Sequence, residues 1–326
     1  HRAPGIPVYG GRTVVAVKIL QPGLLSLLQD GGRYGQHRIG LTNGGPLDPG
    51  ASQLCNRLLG NAADATVIEV SFGGLQLEVL DDTFICVTGA RMPMQINGKD
   101  VARYEVHPVT GGDRVTLDFA ESGCRAYLGV ADGFEVAASF GSTATVVREH
   151  IGGLDGEKLS DGDILACPDV KQRRLFFINP ESQPRYHDTV TVRVIPGYQQ
   201  QHFSRLQQRR FFSHAYTVTD RCDRMGYRLE GPAIDCEIEG ILSEGICQGA
   251  IQIPADGQPI VLLNDRQTIG GYPKIGAALS LDTASLAQLT PGGRVHFTPI
   301  TPHAAHNALH LAASMARRQT LLERPA

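Results

Sequence analysis

From residue 13 onward the apolar positions come in short runs, either alternating with polar residues or β-branched throughout, and each run is closed by Gly or Asp. Runs of this kind at 14–20, 66–72, 75–80, 83–88, 114–119 and 125–130 predict strands. The clearest helix in this half starts at Asp48, a good N-cap, with Pro49 at the first helical position. Leu54 and Leu58 lie one turn apart, and Gly60-Asn61 stops it. Between 164 and 188 the chain passes Pro168, the basic cluster Lys171-Gln172-Arg173-Arg174 and the polar stretch from Asn179 to Pro184, which marks a crossing between two units. A second strand series follows at 189–195, 216–218, 227–229, 234–238, 250–253 and 259–263, with a short helix over 199–211. From Thr301 the period changes: Ala305, Leu309, Ala312 and Met315 fall on one helical stripe, and Arg317 and Arg318 stand near its end. The expected organisation is a leader at 1–12, β domains at 13–185 and 186–300, and a C-terminal helix at 301–326.

A faint echo links the halves. Gly111-Gly112 precedes the alternating run 114–117, and Gly292-Gly293 precedes the run 294–297. Two related barrels would produce it, and so would the general habit of Gly-Gly turns to precede strands.

Composition sharpens the class. The 326 residues are 42% hydrophobic, which excludes disorder for most of the chain, and 38 glycines with no tryptophan fit many tight turns. The net charge of −3 leaves no cation excess for a nucleic-acid backbone or an anionic membrane. No apolar run approaches the roughly 18 residues of a bilayer span, so a soluble protein is expected. Seven scattered cysteines without a Cys-x-x-Cys pair suit a reducing cytoplasm.

Candidate chemistry concentrates in Asn264-Asp265-Arg266-Gln267-Thr268-Ile269-Gly270-Gly271-Tyr272-Pro273-Lys274. A buried-looking strand delivers an acid, a guanidinium, an amide and a hydroxyl, and the glycine pair would let backbone approach a ligand. Asp265 can exchange a proton, Arg266 can grip a carboxylate and Lys274 can sit over an oxyanion. A solvated turn holding an Asp-Arg ion pair is the plainer alternative. In 220–231, alternation sets Met225, Tyr227 and Leu229 on one face and Arg224, Arg228 and Glu230 on the other, either an anion site or a surface laced with ion pairs. The glycine-rich turn 40–48 runs into the helix at Asp48, where the cap residue already satisfies the helix start. No P-loop and no Gly-x-Ser-x-Gly elbow is present. His303, His306 and His310 make a polar helix face, not a metal ligand set.

Taken together, several segments stand in the order of one family. They are Gly45-Pro46-Leu47-Asp48 with 56–61, then 127–141 with Gly152-Gly153, 223–231, Ser243-Glu244-Gly245 through 249–254, and 265–275. Over about 17–300 the chain resembles the allophanate hydrolase subunit 2 family, also called the biotin-dependent carboxyltransferase or 5-oxoprolinase C-subunit family. Departures are Pro46-Leu47 where Ala-Met is commoner, Arg221-Cys222 for Asn-Ser, and Ile269 for Thr.

The resemblance implies cyclophilin-like β-barrels, hence a mainly β fold of two barrel domains with a few short helices. It also implies partners: a subunit 1 protein, similar to the 5-oxoprolinase B-subunit, and a protein similar to the A-subunit. Together they open the ring of 5-oxoproline to glutamate, with ATP bound by the assembled complex. A related module in urea carboxylase takes its carboxyl group from carboxybiotin carried by another protein, which is a second reading. A third is non-catalytic, antagonism of a kinase inhibitor. Both reactions polarise an amide carbonyl and manage a proton. On this basis Asp265, Lys274 and Arg266 are the expected catalytic residues. The small amide substrate is expected to meet Arg224, Tyr227, Arg228, Gln252, Gln267, Thr268, Gly270, Gly271 and Tyr272.

Overall fold

The computed structural model describes residues 14–171 and 173–324, so the leader expected at 1–12 lies outside them. Two compact units emerge. Of the described residues, one holds those up to Arg33, those within 44–185 and those from Thr320 onward; the other holds Tyr34–Asn43 and Tyr186–Gln319.

The first unit is built on two antiparallel sheets. Six strands run in the order Ile164–Pro168, Val14–Pro22, Leu75–Val79, Arg114–Leu117, Met94–Ile96 and Lys99–Val101. Five run in the order Leu25–Gln29, Val67–Ser71, Ser122–Val130, Thr83–Arg91 and Val106–Val109. Leu75, Leu77 and Val79 are buried while Gln76 between them is exposed, as a strand with one wet face requires. One apolar core joins these residues to Ile68, Ile85, Val87 and Leu128 of the other sheet. The Pro49–Leu59 helix covers that sheet's opposite face, packing Leu54, Cys55 and Leu58 against Val67, Cys86 and Tyr127. Buried on both faces, Thr83–Arg91 and Ser122–Val130 read in the sequence as nearly continuous apolar runs. Asp48 caps the helix by accepting from the Ala51 N–H at 3.1 Å, and Gly60 ends it in the left-handed region at φ 69°.

In the second unit seven strands close a barrel in the order Thr189–Pro196, Lys274–Ala278, Ala250–Gln252, Ile260–Leu262, Gly226–Glu230, Ala215–Cys222 and Arg294–Pro299. Parallel pairing of the first and last strands completes the closure. Val192, Val194, Tyr216, Val218, Tyr227, Leu229, Ile251, Val261, Val295 and Phe297 are all but inaccessible and fill the interior. The mainly β architecture with few helices is met.

Local differences have physical reasons. Ile234 is buried, but 234–238 form no strand; Ile234 N–H instead bonds the Gly257 carbonyl, and Asp235 accepts from Gln207 at 2.7 Å. The 199–211 helix divides into a 3-10 turn, Tyr198–His202, and the α-helix Arg205–Ser213 capped by Ser204. The C-terminal helix runs Pro302–Arg318, beyond which Leu322–Glu323 pairs with Phe176–Phe177 in the first unit. Of its predicted apolar stripe only Ala305 is buried; Leu309 and Met315 are exposed. Both Gly-Gly turns adopt one geometry: Gly112 and Gly292 have φ near 90° and donate to the carbonyls of Val79 and Val218, each 2.8 Å away. No helix among the described residues is long and apolar enough to cross a membrane.

Candidate functional site

Alternation along the barrel strands decides which side chains meet a ligand. With Tyr227, Leu229, Ile251 and Val261 pointing inward, their neighbours Gly226, Arg228, Gln252, Ile260 and Leu262 face a cavity of about 610 Å³ on the outer side of the wall. The 220–223 hairpin and the 266–272 loop, which contributes Arg266, Gln267 and Tyr272, complete it. Gln252 is buried and its amide makes no side-chain hydrogen bond among the described residues. The first cavity therefore lies against the outer wall of the barrel.

Two neighbouring arginines are handled differently. Arg224 and Asp265 are both buried and form a two-pronged ion pair, Nε to Oδ2 at 2.8 Å and Nη2 to Oδ1 at 3.0 Å. Among the described residues Arg266, 3% exposed, pairs with no carboxylate: it donates to the carbonyls of Ile246 and Leu263 at 3.1 and 3.4 Å and to Asn43 Oδ1 at 3.5 Å. Burial draws the Arg266 pKa below its ordinary value, opposed by neighbouring Cys247 and Asp265. Arg266 also lines a second cavity of about 490 Å³ on the side of the 34–43 segment.

Lys274 is buried beside Glu244, and its ammonium pairs with that carboxylate, which also accepts from Tyr198 and from Gln199 Nε2 at 2.9 Å. Hydrogen bonds first from Lys274 and then from Tyr198 hold Glu244 below the usual carboxylate range. Glu244 belongs to the short ribbon in which Glu244–Gly245 pairs with Ile269–Gly270, so Lys274 ties that ribbon to the barrel.

The sequence-derived set thus divides. Arg228, Gln252, Arg266, Gln267 and Tyr272 meet in the first cavity, and Thr268 faces the second. Six residues, Tyr227, Arg224, Asp265, Lys274 and the pair Gly270-Gly271, line neither cavity. Tyr227 points into the barrel, its hydroxyl donating to the carbonyls of Ala287 and Leu289, because inward parity claims it. Arg224 precedes the Gly226–Glu230 strand in a turn, which frees it from the face shared by Arg228 and Glu230 and buries it on Asp265. Asp265 has both oxygens engaged by Arg224, so it positions the turn and does not present a free carboxylate to a substrate proton. Lys274 serves the ribbon. The glycine pair also has a different use from the one expected. A Cβ on Gly270 would stand 2.3 Å from Ile246 and 2.8 Å from the Gln252 amide, and one on Gly271 would meet the Ile241 carbonyl at 3.2 Å, so the pair admits the ribbon and not a ligand. Sequence reasoning passed over Tyr198, Gln199, His37, Arg38 and Asn43. Nothing local marks Asn43, which stands 223 residues from Arg266.

The glycine-rich turn before the Pro49–Leu59 helix does not fit a nucleotide phosphate. Its amides are taken by the protein's own carboxylates, Ala51 N–H by Asp48 and Leu47 N–H by Glu69 at 2.8 Å.

Residues 39–299 match the family model for the carboxyltransferase domain, subdomain A and B. The chain belongs to this family. Among carboxyltransferase-domain relatives it is 35% identical to the 5-oxoprolinase C-subunit of Escherichia coli K12 over 86% of this chain and 90% of that protein. It is also 35% identical to the protein of the same name from Haemophilus influenzae, over 87% and 91%. The crystal structure of Kluyveromyces lactis urea carboxylase superposes with a TM-score of 0.84 at 25% identity over 94% of this chain. There the chain spans 29% of the larger protein. None of these matches supports the kinase-inhibitor reading.

Proposed function

We propose that this chain is the C-subunit of an ATP-dependent 5-oxoprolinase and that, with partners similar to the A- and B-subunits, it opens 5-oxo-L-proline to L-glutamate. The observation that carries the reading is the 35% identity along 90% of a 5-oxoprolinase C-subunit. The first cavity supports it chemically. Gln252 offers an amide whose donor and acceptor match those of a lactam, while Arg228 and Arg266 place positive charge where a carbonyl oxygen gains negative charge. Gln267 and Tyr272 close the ring of contacts and hold the amide in one orientation. The Arg224–Asp265 pair fixes the turn that carries Arg266, and Lys274 with Glu244 fixes the ribbon behind Gln252. ATP bound by the assembled complex supplies the energy of ring opening, and no nucleotide contact is assigned to this chain.

Reconstitution tests it. The chain mixed with its two partner proteins should hydrolyse ATP only when 5-oxoproline is present, and Gln252→Leu should raise KM for 5-oxoproline. Absence of 5-oxoproline-dependent turnover from every combination overturns the proposal.

The likeness to urea carboxylase favours one second reading, a carboxyltransferase component that accepts its carboxyl group from carboxybiotin on another protein. Transfer of labelled carboxyl from carboxybiotin to urea, without ATP hydrolysis driven by 5-oxoproline, would select it.

A further inference from the structure

The second cavity shares Arg266 and Ile246 with the first but differs in charge. The first includes Asp220 and Asp223 among its walls; the second carries Arg38, His37 and Arg266, with the polar Thr268 and Gln248, and no carboxylate. The difference matters because of how Arg266 is satisfied. A buried guanidinium is strongly disfavoured without a counter-charge. Arg224, also buried, pairs directly with Asp265, whereas among the described residues the hydrogen bonds of Arg266 go to neutral oxygens, and its Nη2 points to Asn43, near the second cavity. His37 Nε2 meets the same Asn43 oxygen at 2.6 Å, which draws the imidazole and the guanidinium to one spot.

We infer that the second cavity is an oxyanion site in which a phosphate or carboxylate group completes the charge of Arg266, gripped from the open side by Arg38. The site goes beyond the amide-binding cavity proposed above and requires no turnover to be observed. Two sources of the oxyanion are chemically equivalent here, inorganic phosphate and the carboxylate of 5-oxoproline.

The test is a titration of the full chain, 15N-labelled in its arginine side chains, with inorganic phosphate or 5-oxoproline at constant ionic strength. The Nε–H resonance of Arg266 reports occupancy, since that proton is buried on the Ile246 carbonyl. Saturable movement is expected. Arg38→Gln, at an exposed position that leaves the fold intact, should weaken it five- to tenfold, or about 1 to 1.4 kcal/mol. Gln252→Leu, in the other cavity, should leave phosphate binding unchanged. A response to phosphate alone identifies phosphate as the occupant; a response to 5-oxoproline with the same Arg38 dependence identifies the substrate's carboxylate. No saturation by either anion up to ~50 mM, or saturation indifferent to Arg38→Gln, overturns the inference. Absence of 5-oxoproline-dependent turnover from every subunit combination, with intact anion binding, would remove the functional reading and leave this site standing.

Discussion

Arg224 and Asp265 hold each other through two parallel hydrogen bonds, 2.8 and 3.0 Å long, at positions where both side chains are more than nine-tenths buried. The Asp265 N–H also bonds the Arg224 carbonyl at 3.0 Å, so backbone and side chains clamp the same two turns together. Breaking one half leaves a buried charge behind. Asp265→Ala should cost about 3–5 kcal/mol of stability, read as a lower midpoint in urea unfolding, and should disorder the turn bearing Arg266. An unchanged midpoint would show that the pair does not bear on the fold.

Gly270 separates steric from electrostatic control of the first cavity. Its added methyl would collide with Ile246 and the Gln252 amide. Gly270→Ala should therefore displace Gln252 and raise KM for the amide substrate in the reconstituted complex, with a stability loss of about 1–3 kcal/mol. Wild-type KM would place the amide elsewhere.

The Glu244 network gives a pH dependence with a definite sign. Its native pKa is depressed below the ordinary value of 4.5, chiefly by Lys274. The stability it contributes is therefore fully present above pH 4.5 and is lost as pH falls through the lowered native value. Melting temperatures of the wild type and Glu244→Gln should differ at neutral pH and converge in acid. A gap that widens below pH 4.5 would contradict the assignment.

In the first unit, Tyr127 accepts from the Asp48 N–H at 2.7 Å and donates to Glu69 at 2.8 Å. Burial, reinforced by Glu69 and Asp48, keeps its phenol protonated far above the usual range. Tyr127→Phe removes both bonds at once and should destabilise the protein by about 1–3 kcal/mol, detectable as a lower thermal midpoint with the secondary structure by circular dichroism unchanged.

Much of the architecture was legible because strand signals are local. Leu75, Leu77 and Val79 announce a one-sided strand by alternation, and Asp48 with Pro49 announces a helix start by cap chemistry. The short strands Glu244–Gly245 and Ile269–Gly270 carry no such period and exist only because they pair with each other. The exposed Leu309 and Met315 show the limit of a stripe, since periodicity states which residues share a face but not whether anything covers it.

The candidate residues divide by the same logic. Sequence alone placed Asp265, Arg266, Gln267 and Lys274 in one short window and so located the polar centre of the second unit. Only tertiary structure decided their partners. Inward parity on the barrel took Tyr227, a turn carried Arg224 to Asp265, and the 34–43 segment came beside Arg266 from 223 residues away at Asn43. Ion pairing and burial depend on distances between strands, which the order of residues along one strand does not contain.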